Sequence, residues 1–158
     1  MTSAVDYDIT SPAYALSLFE RAEDAHERMA GQRHILIDAK IDAQNLAQLR
    51  DARESTIAIN GGITDEESAS GEAISTNGSN EAERKHRLNV AISNDTKWLR
   101  LDNELREAKR KLAIAETEEG IASDEYGLCR TMLNAVTAHV TRLSTVESGQ
   151  AYERKVYR

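Results

Sequence analysis

Hydrophobic positions recur in steps of three and four along two long stretches of this chain and lose that rhythm between them. Ser11-Pro12 sets a hydroxyl cap before a proline, whose missing N–H costs nothing in a first turn, so a helix is expected from Pro12. Ala15, Leu18, Ala22, Ala25, Met29, Gln32, Leu36, Ala39, Ala43, Leu46 and Arg50 then form a heptad stripe with one polar break at Gln32. Phe19, Ile35, Ile37, Ile41 and Leu49 flank it, as in a helix that touches more than one neighbour. The second stripe runs through Trp98, Leu101, Leu105, Ala108, Leu112, Ala115, Glu119, Ala122, Tyr126, Cys129, Leu133, Val136, Val140 and Leu143, broken only at Glu119. A three-four repeat of that length predicts a supercoiled seam.

Between the stripes, Ile57 and Ile59 alternate ahead of Asn60-Gly61-Gly62, which predicts a short extended segment and a turn. Glu72 to Ser75 is expected to pair back onto Ile57 to Ile59 as a hairpin. The acidic, small residues Thr64 to Gly71 lack apolar area to bury and read as a mobile loop. Asn80 followed by Glu83 predicts a capped short helix ending near Ile92, interrupted at Ser93-Asn94-Asp95. The expected fold is therefore all-α: a long helical hairpin or coiled coil with a small extended or β-hairpin insertion between the helices. Its segments are a disordered tail over 1–11, a first long helix over 12–54, and an extended or hairpin segment with the acidic loop over 55–79. A short helix plus a long coiled-coil helix follow over 80–148, then a basic-aromatic tail over 149–158.

Composition narrows the function. Aromatics are 4% of the chain and alanine supplies much of its 40% hydrophobic fraction, so a thin seam is expected and association with further copies would supply the missing burial. The formal charge of -7 argues against generic nucleic-acid binding, although a local basic surface could still hold phosphates. The single cysteine, Cys129, lies on the second stripe and reads as a buried structural thiol in a cytoplasmic protein. No apolar run approaches the roughly 20 residues that span a bilayer, and no membrane partner is expected.

Several motifs carry candidate chemistry. Glu23-x-x-His26 and Glu83-x-x-His86 match the spacing used by di-metal helix bundles, yet surface residues are the favoured reading and no metal or cofactor is expected. No phosphate loop or nucleophile arrangement is present, so no catalytic residue is assigned and the chain is not expected to be an enzyme. Arg84, Lys85 and Arg87 stand just inside a capped helix start, where free N–H groups also attract anions; they form a candidate anion or partner-binding site for a nucleotide or nucleic-acid phosphate. The alternative is a solvated face pairing with Glu81 and Glu83. Trp98 reads as a local core plug or an aromatic contact for a partner. Tyr152, Tyr157, Arg154, Lys155 and Arg158 make a small stacking and charge patch, or a frayed tail.

Gly78-Ser79-Asn80-Glu81-Ala82-Glu83-Arg84, then Leu88, Asp95, Trp98 and Leu101-x-x-x-Leu105, resembles small coiled-coil proteins of tailed phages and prophages, in which a Gly-x-Asn-x-x-x-Arg element precedes one long helix. The likeness covers about residues 72–143; the Thr64 to Gly71 loop and the long first helix depart from it. It implies a phage accessory role near replication or recombination, in the host cytoplasm, and assigns no catalytic residue. The expected function is thus a non-enzymatic, homo-oligomeric coiled-coil module binding a protein or nucleoprotein partner. An anti-defence inhibitor or nucleotide-signal sponge is the first alternative, and a metal-binding helical-bundle enzyme the second.

Overall fold

The computed structural model describes the backbone of residues 11–156 and the side chains of Ser11 and residues 13–146. The expected tail over 1–11 therefore lies outside the described residues except for Ser11, as do the side chains of the basic-aromatic tail. Three helices and a two-stranded sheet follow in the order α1 (Pro12–Asn60), β1 (Gly62–Ile63), β2 (Ile74–Ser75), α2 (Glu81–Asn94) and α3 (Thr96–Val156). This is an all-α protein with a small β insertion. The chain divides into two compact units, one of residues 1–34 and 117–158, the other of residues 35–116.

In the first unit the α1 stripe is covered: Leu18, Ala25 and Met29 are buried, and Ala15, Ala22 and Gln32 half-buried. On α3, Ala122 is buried while Glu119, Tyr126, Cys129, Leu133 and Val136 are half-buried. Arg28 bonds Glu125 and Arg33 bonds Glu119, each at 2.9 Å, so partner numbers fall as residue numbers rise and the two segments run antiparallel. The polar breaks of the two stripes thereby fall at one level, since Glu119 is held by the residue next to Gln32. Gln32 Oε1 is buried there without a hydrogen-bond partner among the described residues, a local cost that a unique register can justify.

In the second unit Ala43, Leu105, Ala108 and Ala115 are buried along the same stripes. Arg50 approaches Asp102 at 3.5 Å and Arg53 pairs with Asp95, again antiparallel. The flanking Ile35, Ile37, Ile41 and Leu49 are about half exposed, as is Phe19 of the first unit, so the described residues of neither unit supply the expected second neighbour.

The segment from Ser55 corrects the sequence reading. It is helical, and α1 ends only at Asn60. Ile57 extends the three-four stripe from Arg50 through Arg53 and is buried, while Ile59 points outward at 83% exposure; tertiary burial of one isoleucine overrides the β-branched alternation. Gly61, at φ 73°, ends the helix in a left-handed residue. The hairpin exists with a different first strand: Gly62 pairs with Ser75 and Ile63 with Ile74. Ile57, Ile63 and Ala91 form a small core beneath it, joined by Ile74, Leu88 and Ile92. This gives the two-residue strands the helical support that an isolated hairpin lacks.

Candidate functional site

The expected anion site at the start of α2 is built as a closed cap. Asn80 Oδ1 accepts from the Glu83 N–H at 2.9 Å, and the Glu83 carboxylate accepts from the Ser79 N–H at 2.9 Å and the Ser79 hydroxyl at 2.5 Å. Gly78 makes this possible, because a Cβ there would stand 2.8 Å from the Arg84 nitrogen. The Gly78, Asn80 and Arg84 positions of the motif are thus one packing device: close approach, cap, and the backbone being approached. Hydrogen bonds from the Ser79 hydroxyl and N–H, with Arg87, hold the Glu83 carboxyl down at about 2. Arg87 donates to Glu83 at 2.7 Å, so one of the three candidate cations is engaged by the chain's own carboxylate, while Arg84 and Lys85 are exposed.

A cluster that the sequence reading missed lies in the same unit. Asp95 ends α2 and begins α3: its N–H donates to the Ile92 carbonyl, and its carboxylate accepts from the Trp98 N–H at 2.6 Å. With no exposed surface, that carboxylate receives both Nε and Nη2 of Arg53, at 3.1 and 2.5 Å. Arg53 also reaches Glu67 at 2.8 Å. The Glu67 carbonyl accepts from the Thr96 N–H and hydroxyl, and the Ala69 N–H donates to the Asn94 carbonyl. Thr64 to Gly71 is therefore docked and not a free loop; charge and backbone bonds hold what apolar area could not. Trp98 is half-buried, and its indole N–H donates to Glu54 at 2.9 Å.

Electrostatics here are those of a locked structural joint. Burial is the largest influence on Asp95 and pushes its carboxyl up, but the Arg53 and Trp98 hydrogen bonds and nearby positive charge hold it below the usual range. The Arg53 hydrogen bond likewise lowers Glu67, and Asp95 raises Arg53. Arg53 carried a readable signal, being the next seam position after Arg50 and four before Ile57. Its partners 14 and 42 residues away carried none.

The second unit carries an open groove of about 890 Å³ between α1 and α3, floored by Ala39, Leu46 and Ala108 and edged by Ile35 and Leu49. Asp38 and Asp42 stand on its α1 lip one turn apart. In the first unit a cleft of about 560 Å³ contains Glu23 and His26 beside Tyr126, whose ring lies 5.1 Å from that of His26. Among the described residues no three His, Cys, Asp or Glu side chains gather as a metal site, and no helix is long and apolar enough to cross a membrane.

No family model, curated protein or solved structure matches this chain. Function therefore has to be read from surfaces alone. The surfaces on offer are apolar strips between antiparallel helix segments, edged by charge.

Proposed function

We propose that this chain is a non-enzymatic coiled-coil binding module that self-associates and captures a helical segment of a protein partner. The observation that carries this reading is the groove between α1 and α3 in the second unit. Its edge residues Ile35 and Leu49 are 52% and 56% exposed, and they occur two heptads apart on one side of the buried stripe. An open trough with an apolar floor and an edge of that spacing suits the apolar face of an amphipathic helix. Asp38 and Asp42 favour basic residues on the flank of that helix. The likeness of Gly78 to Arg84 and the following helix to phage coiled-coil proteins supports an accessory role in a phage-infected cell, acting on a protein or nucleoprotein assembly.

The test is capture from infected cells by the parent chain and by Ile35→Asp/Leu49→Asp, two exposed positions where a carboxylate meets solvent in the free protein. A protein retained by the parent and lost from the double variant, with helical content unchanged, supports the reading. Equal retention by both excludes the groove, and a nucleic acid or nucleotide as the only retained species replaces the protein partner.

A further inference from the structure

Residues 131–146 of α3 contain one Lys, Arg, Asp or Glu, Arg142, in a chain where such residues make up 30%. The three-four stripe continues through this segment, while exposure along it rises. Leu133 and Val136 are half-buried, whereas Val140 and Leu143 are 44% and 41% exposed. Met132 and Val146 add 37% and 51% exposed side chains to the same segment.

The hydroxyls of its threonines are engaged by their own helix. The hydroxyl of Thr131 donates to the Gly127 carbonyl at 2.8 Å, that of Thr137 to Leu133 at 2.9 Å, that of Thr141 to Thr137 at 2.9 Å and that of Thr145 to Thr141 at 2.7 Å. Donors already engaged by their own helix leave methyl groups outward, and a contact over them strands no hydroxyl proton.

We infer that residues 131–146 of α3 are the surface through which a second copy of this chain binds. The inference rests on the self-association in the proposed function and locates it. Depletion of charge with retained apolar side chains marks the core of an interface, not a solvated helix face. A second copy is the occupant for two reasons. The chain carries a net charge of -7, so most contacts between copies bring like charges together, while this segment, with Arg142 as its one Lys, Arg, Asp or Glu, meets itself with little of that repulsion. The part-exposed stripe also keeps the three-four spacing, so it accepts a helix of the same spacing, and the same segment of another copy has that spacing by identity. A lipid surface is a poorer match, because a helix lying on one carries several Lys or Arg on its polar face and this segment has Arg142 alone.

Sedimentation equilibrium of the full chain, with circular dichroism, tests this on four proteins: the parent, Val140→Glu/Leu143→Glu, Leu143→Gln/Val146→Gln, and Ile59→Glu as a distant charge control. The expected result is a dimer for the parent and the control, and a dissociation constant raised roughly 100-fold or more in the glutamate pair with helicity retained. If that pair loses helicity, the glutamine pair decides by the same criterion. A parent dimer unaffected by a folded pair overturns the location and leaves self-association standing. A parent that stays monomeric at high micromolar concentration overturns both, and flotation of that monomer with phosphatidylcholine vesicles assigns the segment to lipid.

Discussion

Arg53 on α1 and Asp95 at the junction of α2 and α3 form a two-pronged ion pair around a carboxylate with no solvent exposure. The pair does three jobs at once. It caps α3 through the Trp98 N–H, fixes the sharp break between the helices, and through Glu67 ties down residues 64–69.

Removing the cation leaves a buried charge. Arg53→Met should destabilise the fold by about 3 kcal/mol, the usual cost of breaking one partner of a buried pair. Amide exchange should accelerate at Ala69 and Thr96 more than along the middle of α1. Denaturant melts within about 1 kcal/mol of the parent would show that Asp95 is satisfied without Arg53.

Acid should weaken the same joint. Asp95 and Glu67 both have carboxyls held below their ordinary values in the fold. As pH falls the unfolded chain takes up protons first, so their contribution is complete above the unfolded values of about 4 and is lost as pH drops through the folded ones. The urea midpoint should be nearly flat from about pH 5 to 7 and fall below about pH 4. Glu67→Gln should remove part of that fall, and an unchanged acid limb would contradict the assignment.

Gly62 should tolerate no side chain. Its φ is 141°, and a Cβ would lie 2.1 Å from the Ile74 carbonyl oxygen across the two-stranded ladder. Gly62→Ala is expected to cost about 2 kcal/mol or more, and to change the Ile63 and Ile74 resonances in preference to those of α3. The outcome is read from nuclear magnetic resonance shifts together with a thermal melt.

Ala91 gives the opposite kind of test. It is completely buried against Ile57 and Ile63, so Ala91→Leu should overpack the small core by about 1 to 3 kcal/mol. Asn80→Ala, which removes only the α2 cap, should cost about 1 kcal/mol. A melt in which the cap variant is the weaker of the two would mean that the small core has room to spare.

Much of the scaffold was legible because it is written in local spacing. The start of α1 at Pro12, both stripes with their polar breaks, the Asn80 cap and the break at Asp95 follow from periodicity and capping, which depend on residues a few positions apart. What sequence could not determine is decided by partners far apart in the chain. Ile57 and Ile59 have a strand-like alternation, and only the burial of Ile57 against Ile63 and Ala91 makes their segment the last turn of a helix. Thr64 to Gly71 has the composition of a free loop, and only Arg53, Asn94 and Thr96 dock it. The same holds for function. Spacing alone marked Ile35 and Leu49 as apolar flanks and Val140 and Leu143 as seam, but whether a side chain is covered depends on which segments distant in the chain pack against it. Tertiary structure settles that, and it is why the exposed residues became the candidate contact surfaces.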